Sequence, residues 1–140
     1  MNTNKFILSG IAGGVAVFLL GYLIYGLLLM NFMAAHAGPA TGVARDQSHL
    51  LFPYLLLGNV LYGFLLAYIF GKAGIATLSK GLVAGAIIGF LTTASYGLAT
   101  YATTWMISRT YLAADTAAYT VISGLAGAVV AWVAGTGKKA

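Results

Sequence analysis

Four long apolar runs that carry no charge, separated by three short polar breaks, fill most of this chain: roughly Phe6 to Met33, Pro53 to Gly71, Gly81 to Ile107 and Ala118 to Gly135. Each meets or approaches the ~20 residues that cross a ~30 Å hydrocarbon layer as a helix. Lipid is therefore the solvent this chain is built for. Only 6% of its residues are charged and 61% are hydrophobic, whereas soluble domains carry about a quarter charged residues. The runs lack the alternation of barrel strands, and backbone polar groups in lipid must be satisfied within the segment or a closed barrel. The fold expected is all-α, a four-transmembrane-helix bundle, with residues 1–140 as a single integral membrane domain. Lys5 before an apolar stretch and Ala35-His36-Ala37 after it fit a cleavable leader, but the apolar region is about twice a leader core, so it reads as a retained span.

The net charge is +5, scattered at one or two basic residues per break, which does not make a nucleic-acid surface. Sidedness carries more information. In a four-span order Lys5, Lys72, Lys80, Lys138 and Lys139 share one side, while Arg45 and Arg109 share the other with both acids, Asp46 and Asp115. Short loops rich in Lys and Arg stay in the cytoplasm, so both termini and the middle break are expected inside. Cysteine is absent, which excludes disulfides, thiolate metal sites and a thiol nucleophile.

Gly38-Pro39 marks the end of span one, and Pro53 opens span two, where its missing N–H leaves no bond unmade. The short break between Lys72 and Lys80 makes spans two and three antiparallel neighbours. Asp115 or Thr116 caps span four, and Tyr119 enters the interface. At an offset of 71 the pairs Gly10/Gly81, Gly14/Gly85, Leu20/Leu91, Tyr25/Tyr96, Gly26/Gly97 and Leu27/Leu98 coincide; at 64, Gly63/Gly127, Ala67/Ala131 and Gly71/Gly135 do. Two spans per half make this a parallel tandem repeat of two helical hairpins.

Small residues recur at every fourth position: Gly10 and Gly14; Asn59, Gly63, Ala67 and Gly71; Gly81, Gly85 and Gly89; Ser123, Gly127, Ala131 and Gly135. Between helices in lipid there is no hydrophobic drive, so association relies on close backbone approach, which such glycine-zipper faces permit. Thr93, Tyr96, Thr100, Thr103 and Thr104 share one face of span three. With Asn31, Asn59 and Tyr62 they are expected to form a polar pocket open to the outside; the competing account is that each threonine bonds the carbonyl one turn back.

His36 and His49 lie in outer segments without a third ligand, too few for a structural metal site. Arg45 with Asp46, and Arg109 with Asp115, read as solvated charge pairs. Tyr101, Trp105, Tyr111 and Tyr119 on the outer side, and Tyr68 and Trp132 on the inner, read as interfacial anchors. None of the four apolar runs holds an ionisable residue of the kind that ion-coupled transporters keep in the membrane, and no Ser, His and Asp set suits hydrolysis. Neither an enzyme nor a cofactor or metal site is expected.

Gly21-Tyr22-Leu23-Ile24-Tyr25-Gly26, Leu57-Gly58-Asn59-Val60-Leu61-Tyr62 and Lys80-Gly81-Leu82-Val83-Ala84-Gly85 resemble small bacterial four-span membrane proteins grouped as domains of unknown function. Where one such family carries Trp-Tyr-Ser-Pro, this chain has Leu23-Ile24-Tyr25-Gly26. The resemblance implies a bundle in the bacterial cytoplasmic (inner) membrane and transfers no active site. The functional expectation is a structural or accessory membrane protein, a subunit of a larger assembly. Its partners would be membrane lipids and other membrane subunits or further copies of itself, with no nucleic acid. The alternative is a channel or carrier for a small neutral or apolar molecule.

Overall fold

Asn2 starts the first helix by accepting a hydrogen bond from the Lys5 backbone N–H at 2.9 Å, the standard relief for an unpaired donor at a helix N-terminus. The computed structural model describes residues 1–137, so Lys138 and Lys139, counted above for sidedness, lie outside the described residues. Helix α1 runs Thr3–Gly21 and continues without a break into a π-helical segment, Tyr22–Leu28; α2 is a short helix, Met30–Ala35. Three long helices follow: α3 (Phe52–Ala73), α4 (Leu78–Thr103) and α5 (Arg109–Gly135). Pro53 sits in the first turn of α3, and Gly74 ends that helix with φ +67°, a left-handed conformation that glycine adopts without steric cost.

The chain is an all-α four-helix bundle and a multi-pass membrane protein. Thr3–Leu28, α3, α4 and α5 are each long and apolar enough to cross a membrane, with mean hydropathy of 2.2 for the first and 1.7 for the others. Leucines such as Leu8, Leu19, Leu61 and Leu91 point outward, as they should where the surroundings are lipid.

Three expectations change. Span one is not one uniform helix, because the π segment and a break at Leu29 interrupt it. Span three ends at Thr103, short of Ile107, which instead pairs with Ala37 through an isolated bridge. Span four begins at Arg109, well before Ala118. Its N-cap is Ser108, whose side chain accepts from the Tyr111 N–H at 3.1 Å, so neither Asp115 nor Thr116 is a cap. Both lie inside the helix.

Packing also departs from sequence order. Although only a short link joins α3 to α4, the two have no extended contact; α3 packs along α1, α4 along α5, and α1 joins the pairs by packing on α5. Small residues decide this. A methyl group added at Gly63 would stand 2.8 Å from Gly14 Cα, and one at Gly127 would stand 2.9 Å from Gly85 Cα, so these backbones touch where no side chain fits. Gly10 lies under the Phe64 ring, Gly81 against the Gly127 carbonyl, and Gly89 against Ser123. The residues matched at offsets 71 and 64 therefore make equivalent contacts: Gly10 and Gly14 on Gly63, Gly81 and Gly85 on Gly127. Two glycines of the set do not join helices. Gly71 is exposed and meets only Met1, and Gly135 abuts Ala76 in the α3–α4 link.

The centre of the bundle is apolar: Val17 of α1, Leu66 and Phe70 of α3, and Ile122, Ala126 and Val130 of α5. At one end, Lys5 Nζ donates to the Thr136 carbonyl, which brings the chain's start and the end of α5 beside the α3–α4 link. At the other, the long segment between α2 and α3 folds over the bundle. There Gly38 N–H donates to Met106 O at 3.0 Å, Ala40 N–H to Trp105 O at 3.1 Å, and Ser108 Oγ to the His36 carbonyl, so the first hairpin is tied to the α4–α5 connection.

Candidate functional site

The π segment Tyr22–Leu28 lies at the long-loop end of α1, bounded by Gly21 and Leu29, and the Leu29 N–H reaches back five residues to Ile24 O at 2.7 Å. Such i→i+5 turns disrupt the regular ladder and recur at functional sites. Here the turn aims Tyr25 at α5. Its hydroxyl donates to Asp115 Oδ1 at 2.6 Å, with a longer contact of 3.3 Å to the Asp115 carbonyl.

Asp115 lies in the second turn of α5, about 9 Å along the axis from Arg109 at 1.5 Å per residue. The helix is about 40 Å long on the same rise, while the hydrocarbon is ~30 Å thick. A centred helix thus places Asp115 just inside the apolar layer. Asp115 therefore belongs to the membrane-spanning helix itself, whereas the sequence placed it in the break before span four. The pairing of Arg109 with Asp115 is also corrected, since Arg109 Nε donates to Tyr101 Oη at 3.0 Å. Asp46 instead meets His49, Oδ1 to Nδ1 at 2.6 Å, in place of the expected Arg45. The Asp46 carboxyl, in the exposed loop, is held below the usual carboxylate range by hydrogen bonds from Ser48 and then His49.

One helical turn deeper, Tyr119 meets Tyr62 edge-on, ring centroids 5.4 Å apart. Ser123 Oγ donates to the Gly85 carbonyl at 2.7 Å; its one proton is then committed, so the Tyr62 hydroxyl must be the donor in the 2.7 Å contact between them. A chain of hydroxyls thus links α3 to α5 to α4.

Two hollows flank Tyr25 and Tyr119. The first, a cleft of about 430 Å³, lies between the π segment and α3 and includes Val17, Phe18, Gly21, Tyr22, Leu55 and Asn59 in its walls. Gln47 and Leu50 of the long loop close its top, with Gln47 Nε2 contacting Met30 Sδ at 2.9 Å and the Gly26 carbonyl at 3.4 Å. The second, a shallower groove of about 390 Å³, is bounded by Tyr62, Thr92, Thr93, Tyr96, Asp115 and the same two tyrosines. It occupies the gap left where α3 and α4 fail to pack.

The polar pocket expected from sequence is therefore divided. Tyr62, Thr93 and Tyr96 border the groove, whereas Asn59 faces the cleft. Asn31 is exposed on α2 and lines neither. Thr100 and Thr104 bond the carbonyls of Tyr96 and Thr100 one turn back, at 2.9 and 2.8 Å, and also lie outside. His36 bonds Phe32 O at 2.8 Å and stacks on that ring, away from His49. No group of three or more His, Cys, Asp or Glu that could hold a metal occurs among the described residues.

Tyr25, Asp115, Tyr119 and Gln47 were not singled out as a site by sequence reasoning. A signal existed: Tyr111, Asp115 and Tyr119 follow at four-residue spacing, one helical face, behind Ser108, a good N-cap residue. No family model, curated protein or solved structure matches this chain, which leaves the geometry as the ground for function.

Proposed function

We propose that this chain is a non-enzymatic membrane protein that binds a small, mostly apolar molecule within the bundle and acts as its carrier or channel. The cleft beside the π segment supports this reading most directly. Its volume of about 430 Å³ falls in the range of small-molecule sites, ~300–1,000 Å³, which are typically apolar with a few fixed polar groups. Tyr22, Tyr25, Asn59 and Gln47 are those groups here. The protein sits in a bacterial cytoplasmic membrane with both termini inside, a placement supported by the resemblance noted above and the distribution of Lys and Arg.

Gly21 provides a direct test. It lines the cleft, and a side-chain carbon added there meets nothing within 4 Å, so the side chain of Gly21→Phe starts in open space and should occupy the cleft. Native mass spectrometry of protein released from nanodiscs should show a small-molecule adduct on the wild type and none on Gly21→Phe, at equal melting temperature. Absence of an adduct on the wild type, or its persistence in the variant, overturns the reading.

A second reading, an accessory subunit of a larger assembly, is favoured by the exposure of α4, which is covered along its glycine face by α5 and elsewhere presents residues such as Leu82, Val83, Ile87 and Phe90. Mild-detergent extraction that brings out a stoichiometric protein partner on the α4 surface would support it over the carrier.

A further inference from the structure

We infer that the groove between α3 and α4 is a second, separate binding site, for a small organic ammonium ion held between the Asp115 carboxylate and the surrounding tyrosine rings. Among the described residues Asp115 has no counter-charge: no Lys, Arg or His lies within ion-pair distance of it, and the arginine on its own helix turns away to Tyr101. A carboxylate inside a membrane bundle is costly unless it is paired. Tyr25 satisfies only one of its oxygens, Oδ1. No buried side-chain oxygen is left without a partner among the described residues, so Oδ2, with no hydrogen bond of its own, is not fully buried, and Asp115 lines the groove.

What faces that oxygen selects the cation. Tyr25, Tyr62, Tyr96 and Tyr119 border the groove around Asp115, and aromatic faces attract ammonium groups within ~6 Å. Hard metal ions need several oxygen ligands of higher charge, and a single carboxylate among phenols does not supply them. The groove is shallow and lies at the gap between helices, so an amine carrying an apolar group can enter from the membrane with its nitrogen toward Asp115. The groove shares Tyr25 and Tyr119 with the cleft, but its other lining residues are different.

The test uses phenethylammonium and its neutral analogue 2-phenylethanol, each titrated against the thermal stability of the full chain in a non-ionic detergent. The ammonium ion should protect the wild type with at least ~10-fold higher apparent affinity than the alcohol, the size expected of one charge-assisted hydrogen bond. In Asp115→Asn, whose side-chain oxygen still accepts from Tyr25, the preference should vanish. Tyr96→Leu should weaken ammonium binding several-fold while leaving the unliganded melting temperature unchanged, because that ring is 76% exposed. Equal protection by the two probes in the wild type overturns the proposal, as does an ammonium preference that survives in Asp115→Asn. A loss of stability in Asp115→Asn without any ammonium preference in the wild type marks the Tyr25–Asp115 pair as purely structural. If Asp115→Asn does not fold, the wild-type comparison and Tyr96→Leu decide.

Discussion

Gly85 and Gly127 face each other at backbone distance, and a side chain on either must push α4 off α5. Overpacking typically costs ~1–3 kcal/mol, and here the obstacle is backbone, which has least room to yield. Gly85→Leu and Gly127→Leu should each lower the melting temperature in detergent, and the double variant should cost less than the sum because one displacement accommodates both. Gly58→Leu, at a glycine with nothing within 4 Å, should be silent; a comparable loss there would show that glycine content, not contact, carries stability. These contacts were legible because four-residue spacing maps directly onto one helical face. Gly71 obeyed the same spacing yet lies in the last turn of α3, where an added side chain would meet only Met1. Asp115 was illegible for the opposite reason: Arg109, Thr110, Asp115 and Thr116 dilute the apolarity of the first turns of α5, so a charge inside the helix reads as a charge before it.

At the level of elements, the π segment is the least regular part of a span and the part that positions Tyr25. Removing Leu23, an exposed residue of that segment, should let an ordinary α-helix continue and turn Tyr25 away from α5. Its stability loss should match that of Tyr25→Phe, of the order of 1.5–3 kcal/mol for a hydrogen bond to a charged group. Tyr25→Phe introduced into the shortened chain should then cost nothing more; additive losses, read by thermal unfolding, would mean that the π turn does not set the Tyr25–Asp115 contact. Helix number and approximate extent were readable from apolar length alone. Helix partners were only half readable, since a short link between α3 and α4 suggested adjacency while the glycine faces directed each to another helix. The π turn left no trace in sequence, because one extra residue in a ring alters hydrogen bonding without altering composition.

For the whole molecule, Ala44 in the long loop and Thr77 in the α3–α4 link lie at opposite ends of the bundle, both exposed. Single cysteines there, in a chain with none of its own, should react with an impermeant maleimide from outside for Ala44→Cys and only after permeabilisation for Thr77→Cys; the reverse pattern inverts the orientation. The paired glycine contacts of the two hairpins also bear on stoichiometry. Position 115 corresponds at the 64-residue offset to Leu51, so the acid belongs to one hairpin only, while Tyr25 and Tyr96 correspond at the 71-residue offset. A symmetric pair of identical hairpins must present either no carboxylate or two at its axis. Two like charges so close would repel, and none would leave the tyrosines without an ionic partner. A single negative charge beside the matched rings of Tyr25 and Tyr96 requires unequal halves, so divergence of the two hairpins within one polypeptide sets the valence of the site at one.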